Sequence, residues 1–150
     1  MVSLRVPTDF PIATVAGVHV VLRGVDVLPD GLQIRWDGVP GEATERMDQD
    51  WQTAMGAWTE RVEEHGADAA GPAPAMPGNL LARVQAHLVD DVGTTYTART
   101  GRAAGTGTAW ESAWRFTPVP PAGASSLRLE LAVDGERVTG CDLVLTSADR

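Results

Sequence analysis

The sequence predicts a mainly β protein: an immunoglobulin-like antiparallel β-sandwich of seven to eight strands, interrupted by one amphipathic helix over residues 43–65. Three observations carry this reading. Apolar residues alternate with polar ones in short runs along most of the chain, the period-two signature of half-buried strands. Turn dipeptides separate these runs at short spacing. Between residues 43 and 65 alone, the apolar period lengthens to three or four. The 150 residues suffice for a single domain with its own core.

Residues 3–6 read as a short edge strand that Pro7 ends, and Pro11 breaks the chain again. The first firm strand is 14–23, where Val18, Val20 and Leu22 alternate with His19, Val21 and Arg23. Pro29-Asp30-Gly31 is a turn: proline presets φ and glycine accepts a positive one. Leu32, Ile34 and Trp36 then share one face of a returning strand, which completes a hairpin. Met47, Trp51, Met55, Trp58 and Val62 recur at helical spacing after Gly41, with Thr44 as the expected N-cap and Gly66 past the C-terminus. Residues 66–78, composed almost wholly of alanine, proline and glycine, read as a mobile loop or extended linker.

The C-terminal half returns to strands. Residues 80–89 alternate, 90–93 turn, and 94–100 are rich in β-branched residues, with Tyr96 facing in. Residues 101–107 read as a glycine-rich loop. Residues 108–117 place Trp110, Ser112, Trp114 and Phe116 on one face. Pro118, Pro120 and Pro121 forbid ladder pairing, so the chain crosses between elements there. Leu127, Leu129, Leu131 and Val133 alternate up to Asp134-Gly135, a hairpin dipeptide, and 138–146 form the last strand.

Composition narrows the function classes. The net charge of −8 opposes nucleic acid and anionic membrane surfaces, both of which select basic faces. The charge is uneven: residues 42–78 hold eight acids and two arginines, a net −6, and the flanking segments are each near −1. All twelve basic residues are arginine, which removes the lysine that Schiff-base chemistry and a Walker-type loop require. A single cysteine, Cys141, fits a reducing compartment, and no run has the length and apolarity of a signal peptide or membrane span. A cytoplasmic protein without cofactor is expected.

The run Asp90-Asp91-Val92-Gly93-Thr94-Thr95-Tyr96, glycines 101, 105 and 107, Trp110, the stretch from Phe116 to Ala122 and Leu127-Arg128-Leu129 together form a pattern. This pattern resembles uncharacterised actinobacterial proteins with immunoglobulin-like sandwich domains. Similar stretches occur in β-sandwich domains of Gram-positive membrane-anchored regulators. The resemblance covers about the C-terminal half and, more loosely, residues 18–34. It implies a fold and no catalytic residues, and the acidic, tryptophan-bearing helix departs from it.

Each candidate site has a plain alternative. Asp90 and Asp91 are adjacent carboxylates at a strand end and are weak calcium ligands, since the D-x-D-x-D-G loop is missing; aspartates closing a turn onto backbone amides are the simpler reading. His19 and His87 occupy polar strand positions that could meet on one sheet face near Cys141, although surface histidines and a buried thiol are the ordinary outcome. Residues 101–107 lack the following helix of a dinucleotide loop. Glu111 points away from Trp110 and Trp114, and no second acid pairs with it for glycoside hydrolysis. The strongest candidate is the Met47, Trp51, Met55 and Trp58 face: either it packs on its own sheet or it binds a protein partner or a second copy, as tryptophan and methionine do at interfaces. The sequence therefore favours a non-enzymatic interaction module, with a homodimer as one form it could take. The alternative is a small-ligand or carbohydrate-binding sandwich that uses aromatic residues and the 90–93 and 101–107 loops.

Overall fold

The computed structural model describes residues 2–4, 9–106 and 109–147. The strands are β1 (Val2–Leu4), β2 (Phe10–Val15), β3 (Val18–Leu28), β4 (Gly31–Gly38), β5 (Val84–Asp90), β6 (Thr97–Thr106), β7 (Ala109–Thr117), β8 (Ser126–Val133) and β9 (Glu136–Ser147). They form two antiparallel sheets, a four-stranded one ordered β1-β9-β8-β5 and a five-stranded one ordered β2-β3-β4-β7-β6. The sandwich is therefore as the alternation implied, with its own strand order: β2, β3 and β4 run as a meander within one sheet. Helix α1 (Glu42–His65) is inserted between β4 and β5, followed by the short α2 (Ala67–Ala70) and a 3₁₀ segment, Pro77–Arg83.

The core is built from the period-two pattern. Leu22, Leu32, Ile34, Trp36, Trp110 and Phe116 point inward from the five-stranded sheet and meet Leu88, Leu127, Leu129, Leu131 and Leu143 from the other. Trp36 lies at its centre, donating Nε1–H to the Leu81 carbonyl at 3.1 Å and stacking on Trp114 with ring centroids 5.7 Å apart. Gly101 pairs with Trp114 across the β6–β7 ladder, and a Cβ there would collide with the indole. The tryptophan ring occupies the space that a side chain on β6 would need.

Several local expectations are corrected. The expected edge strand at the N-terminus begins as β1, and its end at Pro7 lies outside the described residues. The first firm strand is two: β2 and β3 are joined at Ala16-Gly17, both with positive φ, the backbone of a two-residue hairpin turn. Pro11 sits in β2 without breaking it, because β2 is an edge strand with a register shift at that point. Gly31 belongs to strand β4; its need for glycine comes from the Phe116 carbonyl, which fills the place where a Cβ would stand. Residues 80–83 are 3₁₀ and not strand: Pro77 starts the turn, and Leu81 is drawn under Trp36. Residues 101–106 continue β6, so the glycine-rich stretch is strand as far as Thr106, and Gly107 lies outside the described residues. The proline crossover carries the chain from β7 in one sheet to β8 in the other, as expected.

Candidate functional site

The N-cap of helix α1 is Gly41 and not Thr44. Thr44, the third helical residue, is buried and closes the first turn: its Oγ1 accepts the Gly41 amide at 2.8 Å and donates to the Gly41 carbonyl at 2.9 Å. Ala43 and Met47 pack against the sandwich core. Beyond them the helix leaves the sheets. Thr44 is its one buried residue, and its main neighbours are α2 and the 3₁₀ segment. Twenty-four residues make a rod about 36 Å long, anchored at one end.

Met47, Trp51, Met55 and Trp58 fall on one face of this arm, and each is half-buried. What covers Trp51 and Trp58 is the chain's own return path. The helix ends at Gly66, whose N–H bonds the Val62 carbonyl; α2 makes one turn, and residues 71–77 then run back along the helix. Trp58 Nε1–H donates to the Gly71 carbonyl at 3.0 Å and Trp51 Nε1–H to the Pro74 carbonyl at 3.4 Å. The stretch expected as a mobile loop or extended linker is thus one helical turn followed by a segment tied along the helix by two indoles, a strap.

The opposite side of the arm is charged. Glu42, Glu45, Asp50, Glu60, Glu63 and Glu64 lie off the stripe and are exposed, half-buried Asp48 flanks it three residues before Trp51, and against these seven acids α1 has only Arg46 and Arg61, a net −5. The Arg46–Glu42 pair, at 3.5 Å, is solvent-exposed and neutralises little of this charge.

The remaining candidates are placed elsewhere. Asp90 is buried, and its carboxylate accepts the amides of Val92 and Thr94 and the Tyr96 hydroxyl at 2.9–3.1 Å. Burial alone would raise its pKa, but the hydrogen bonds from Thr94, Tyr96 and Val92 outweigh it and hold the group at about 2. Burial first, then the Asp90 carboxylate, pushes the Tyr96 hydroxyl well above its ordinary value. Asp91 accepts the Ser125 amide at 2.9 Å and the Ser125 hydroxyl, which lowers its pKa and ties the turn to the start of β8. Both carboxylates are committed to backbone and hydroxyl donors. His19 lies on β3, with Nδ1 2.9 Å from Thr14 Oγ1, and His87 lies on β5. These strands belong to different sheets and both histidines are exposed, so the expected meeting near buried Cys141 does not occur. Burial raises the Cys141 pKa, which keeps the thiol protonated. Among the described residues, no group of three or more His, Cys, Asp or Glu is placed to hold a metal, and no helix is long and apolar enough to cross a membrane.

The outer face of the five-stranded sheet holds a feature that no sequence pattern announces. Arg35, Ala113 and Arg102 form one cross-strand row, and Asp37 and Glu111 are opposite each other in the next. They line a shallow depression of about 260 Å³ with Gln33 and Ser112. Arg35 bonds Asp26 at 3.1 Å and Arg23 bonds Asp37 at 3.0 Å. Asp37 has a raised pKa, chiefly from burial, against the opposing effect of Arg23. Alternation alone places these residues outward; their assembly depends on the β4–β7–β6 pairing, which no local pattern encodes. Trp36 and Trp110 are fully buried, so the aromatic lining that carbohydrate would need is not at this depression.

The chain matches no protein-family model, no curated protein and no solved structure.

Proposed function

We propose that the protein is a non-enzymatic interaction module whose contact element is the arm formed by α1 and its strap, and that its partner is a protein with basic charge around an apolar contact. The observation that carries this reading is the position of the stripe. Trp51, Met55 and Trp58 are large soft residues outside the sandwich core, each half-buried, and an alanine- and proline-rich segment is bonded to the two tryptophans. Residues of this kind dominate binding energy where they reach a partner. The net −5 of α1 favours a basic partner and disfavours two arms lying side by side, an effect that salt weakens.

A photo-crosslinking residue at Met55 tests this. The expected result in cells is a discrete crosslinked protein that disappears when Trp51→Asp and Trp58→Asp are introduced together, with no such product from the same probe at Val144 on β9. The solution mass of the purified chain decides whether that protein is a second copy. If the product persists in the double variant, or none forms, the arm is not the contact element.

A further inference from the structure

Resting on that reading, we infer that the Trp51/Trp58 face of α1 is a cradle for a proline-rich extended peptide, that residues 71–77 fill it in cis, and that the partner presents a proline-rich segment with basic flanks that displaces this strap.

Geometry is the first argument. Trp51 and Trp58 are seven residues apart on α1, two turns or about 10.5 Å along the axis. The carbonyls they bind, Gly71 and Pro74, are three residues apart in the strap. A polyproline II helix repeats every three residues and rises about 9 Å in doing so. Carbonyls three apart therefore project to the same side at nearly the spacing of the two indoles. Helix and strap run antiparallel, as the pairings Trp58 with Gly71 and Trp51 with Pro74 require.

The composition of the strap is the second argument. Gly71-Pro72-Ala73-Pro74-Ala75-Met76-Pro77 places a proline after Gly71, Ala73 and Met76. Each proline fixes its own φ and drives the preceding residue out of the helical region. Met76, at φ −63° and ψ 141°, sits near polyproline II values. Such a chain lacks many N–H groups and offers mainly carbonyls, and an indole N–H reads a carbonyl whatever side chain it bears. Aromatic grooves recognise proline-rich segments by this combination because little conformational entropy is lost on docking.

The weakness of the hold is the third. The strap is tied to the tryptophans by two hydrogen bonds, Pro72 and Ala73 are exposed, and Gly66 and Gly71, both with positive φ, flank α2 as natural pivots. A tethered ligand of this sort competes through its effective concentration, so a partner must outcompete a built-in substitute. The acidic side of α1 then favours a competitor with arginine or lysine beside its prolines.

The experiment uses the whole chain and a synthetic peptide of the 71–77 sequence with two arginines at each end. Residues 72–76 are replaced by glycine and serine at equal length, and binding is followed by tryptophan fluorescence and calorimetry. The expected result is binding about tenfold tighter or more than to the wild type. That binding is lost when alanine replaces the peptide's prolines, and weakened about tenfold when Trp51→Phe and Trp58→Phe remove the N–H donors. If the replacement frays the arm, Pro74→Gly in the wild-type strap serves instead, with the same ordering expected. A folded strap variant that ignores the peptide, or binds the proline-free peptide equally well, overturns the inference. Capture at Met55 together with peptide failure would remove the proline specificity and leave the module reading standing; failure of both removes both.

Discussion

The sandwich and the arm are held by different physics. In the sandwich, two sheets bury one continuous cluster of leucines, valines, isoleucines and tryptophans between them. In the arm, a long helix buries one residue, and its aromatic face rests on a short segment of glycine, alanine, proline and one methionine, most of which is itself exposed. The first arrangement maximises apolar area removed from water and tolerates little change. The second leaves large side chains partly wet, which costs stability and is retained in proteins chiefly where those side chains meet something else. The same chain therefore separates a close-packed sandwich from an arm whose aromatic face is only half-buried.

Substitutions can break this contrast, beginning in the sandwich. Trp36→Ala removes a fully buried ring, its bond to Leu81 and its stack on Trp114, and should cost about 3–5 kcal/mol in urea unfolding. Gly101→Ala should cost about 1–3 kcal/mol, since the new methyl collides with the Trp114 ring and would disturb its stack on Trp36. Tyr96→Phe should cost about 0.5–1.5 kcal/mol by removing one donor to Asp90. It should also shift the acid limb. Asp90 has a folded pKa of about 2, below its unfolded value, so its contribution is complete above about pH 4 and is lost as pH falls toward 2. Without the tyrosine hydroxyl the folded pKa rises, and the loss is complete at a higher pH. Thermal melts between about pH 2 and 5 read both effects, and Asp90→Asn should flatten that limb.

The smallest effect belongs to the arm. Gly56 lies mid-helix, and nothing stands within 4 Å of the place an added methyl would take, so Gly56→Ala should stabilise α1 by about 0.5–1 kcal/mol. Hydrogen exchange should show that gain in helix amides, with the sandwich unchanged. A gain shared by both regions would mean that they unfold as one unit.

What the sequence made legible follows the same division. Strand alternation placed Leu32, Ile34, Trp36 and the Leu127–Val133 run correctly, because burial of one face is a local, repeating signal. The four-four-three spacing of Met47, Trp51, Met55 and Trp58 announced the helix. What covers that face was not legible, since residues 71–77 have no apolar period and are placed by two indole–carbonyl bonds between residues 13 and 23 apart. The β2–β3 hairpin was hidden by apolar residues that continue through Ala16-Gly17. The 3₁₀ segment at Leu80–Arg83 imitated a strand because four residues are too few to separate the two periods. Asp90 and Asp91 were visible as turn residues, but the Ser125 contact that fixes the second of them crosses 34 positions.

The most direct measurement is hydrogen exchange by mass spectrometry on the wild type and on the chain carrying Trp51→Asp with Trp58→Asp. If the arm is a recognition element, protection should fall across residues 48–76 and stay unchanged in β3, β4, β7 and β8. Equal loss of protection in those strands would make the tryptophan stripe part of the core and contradict the account.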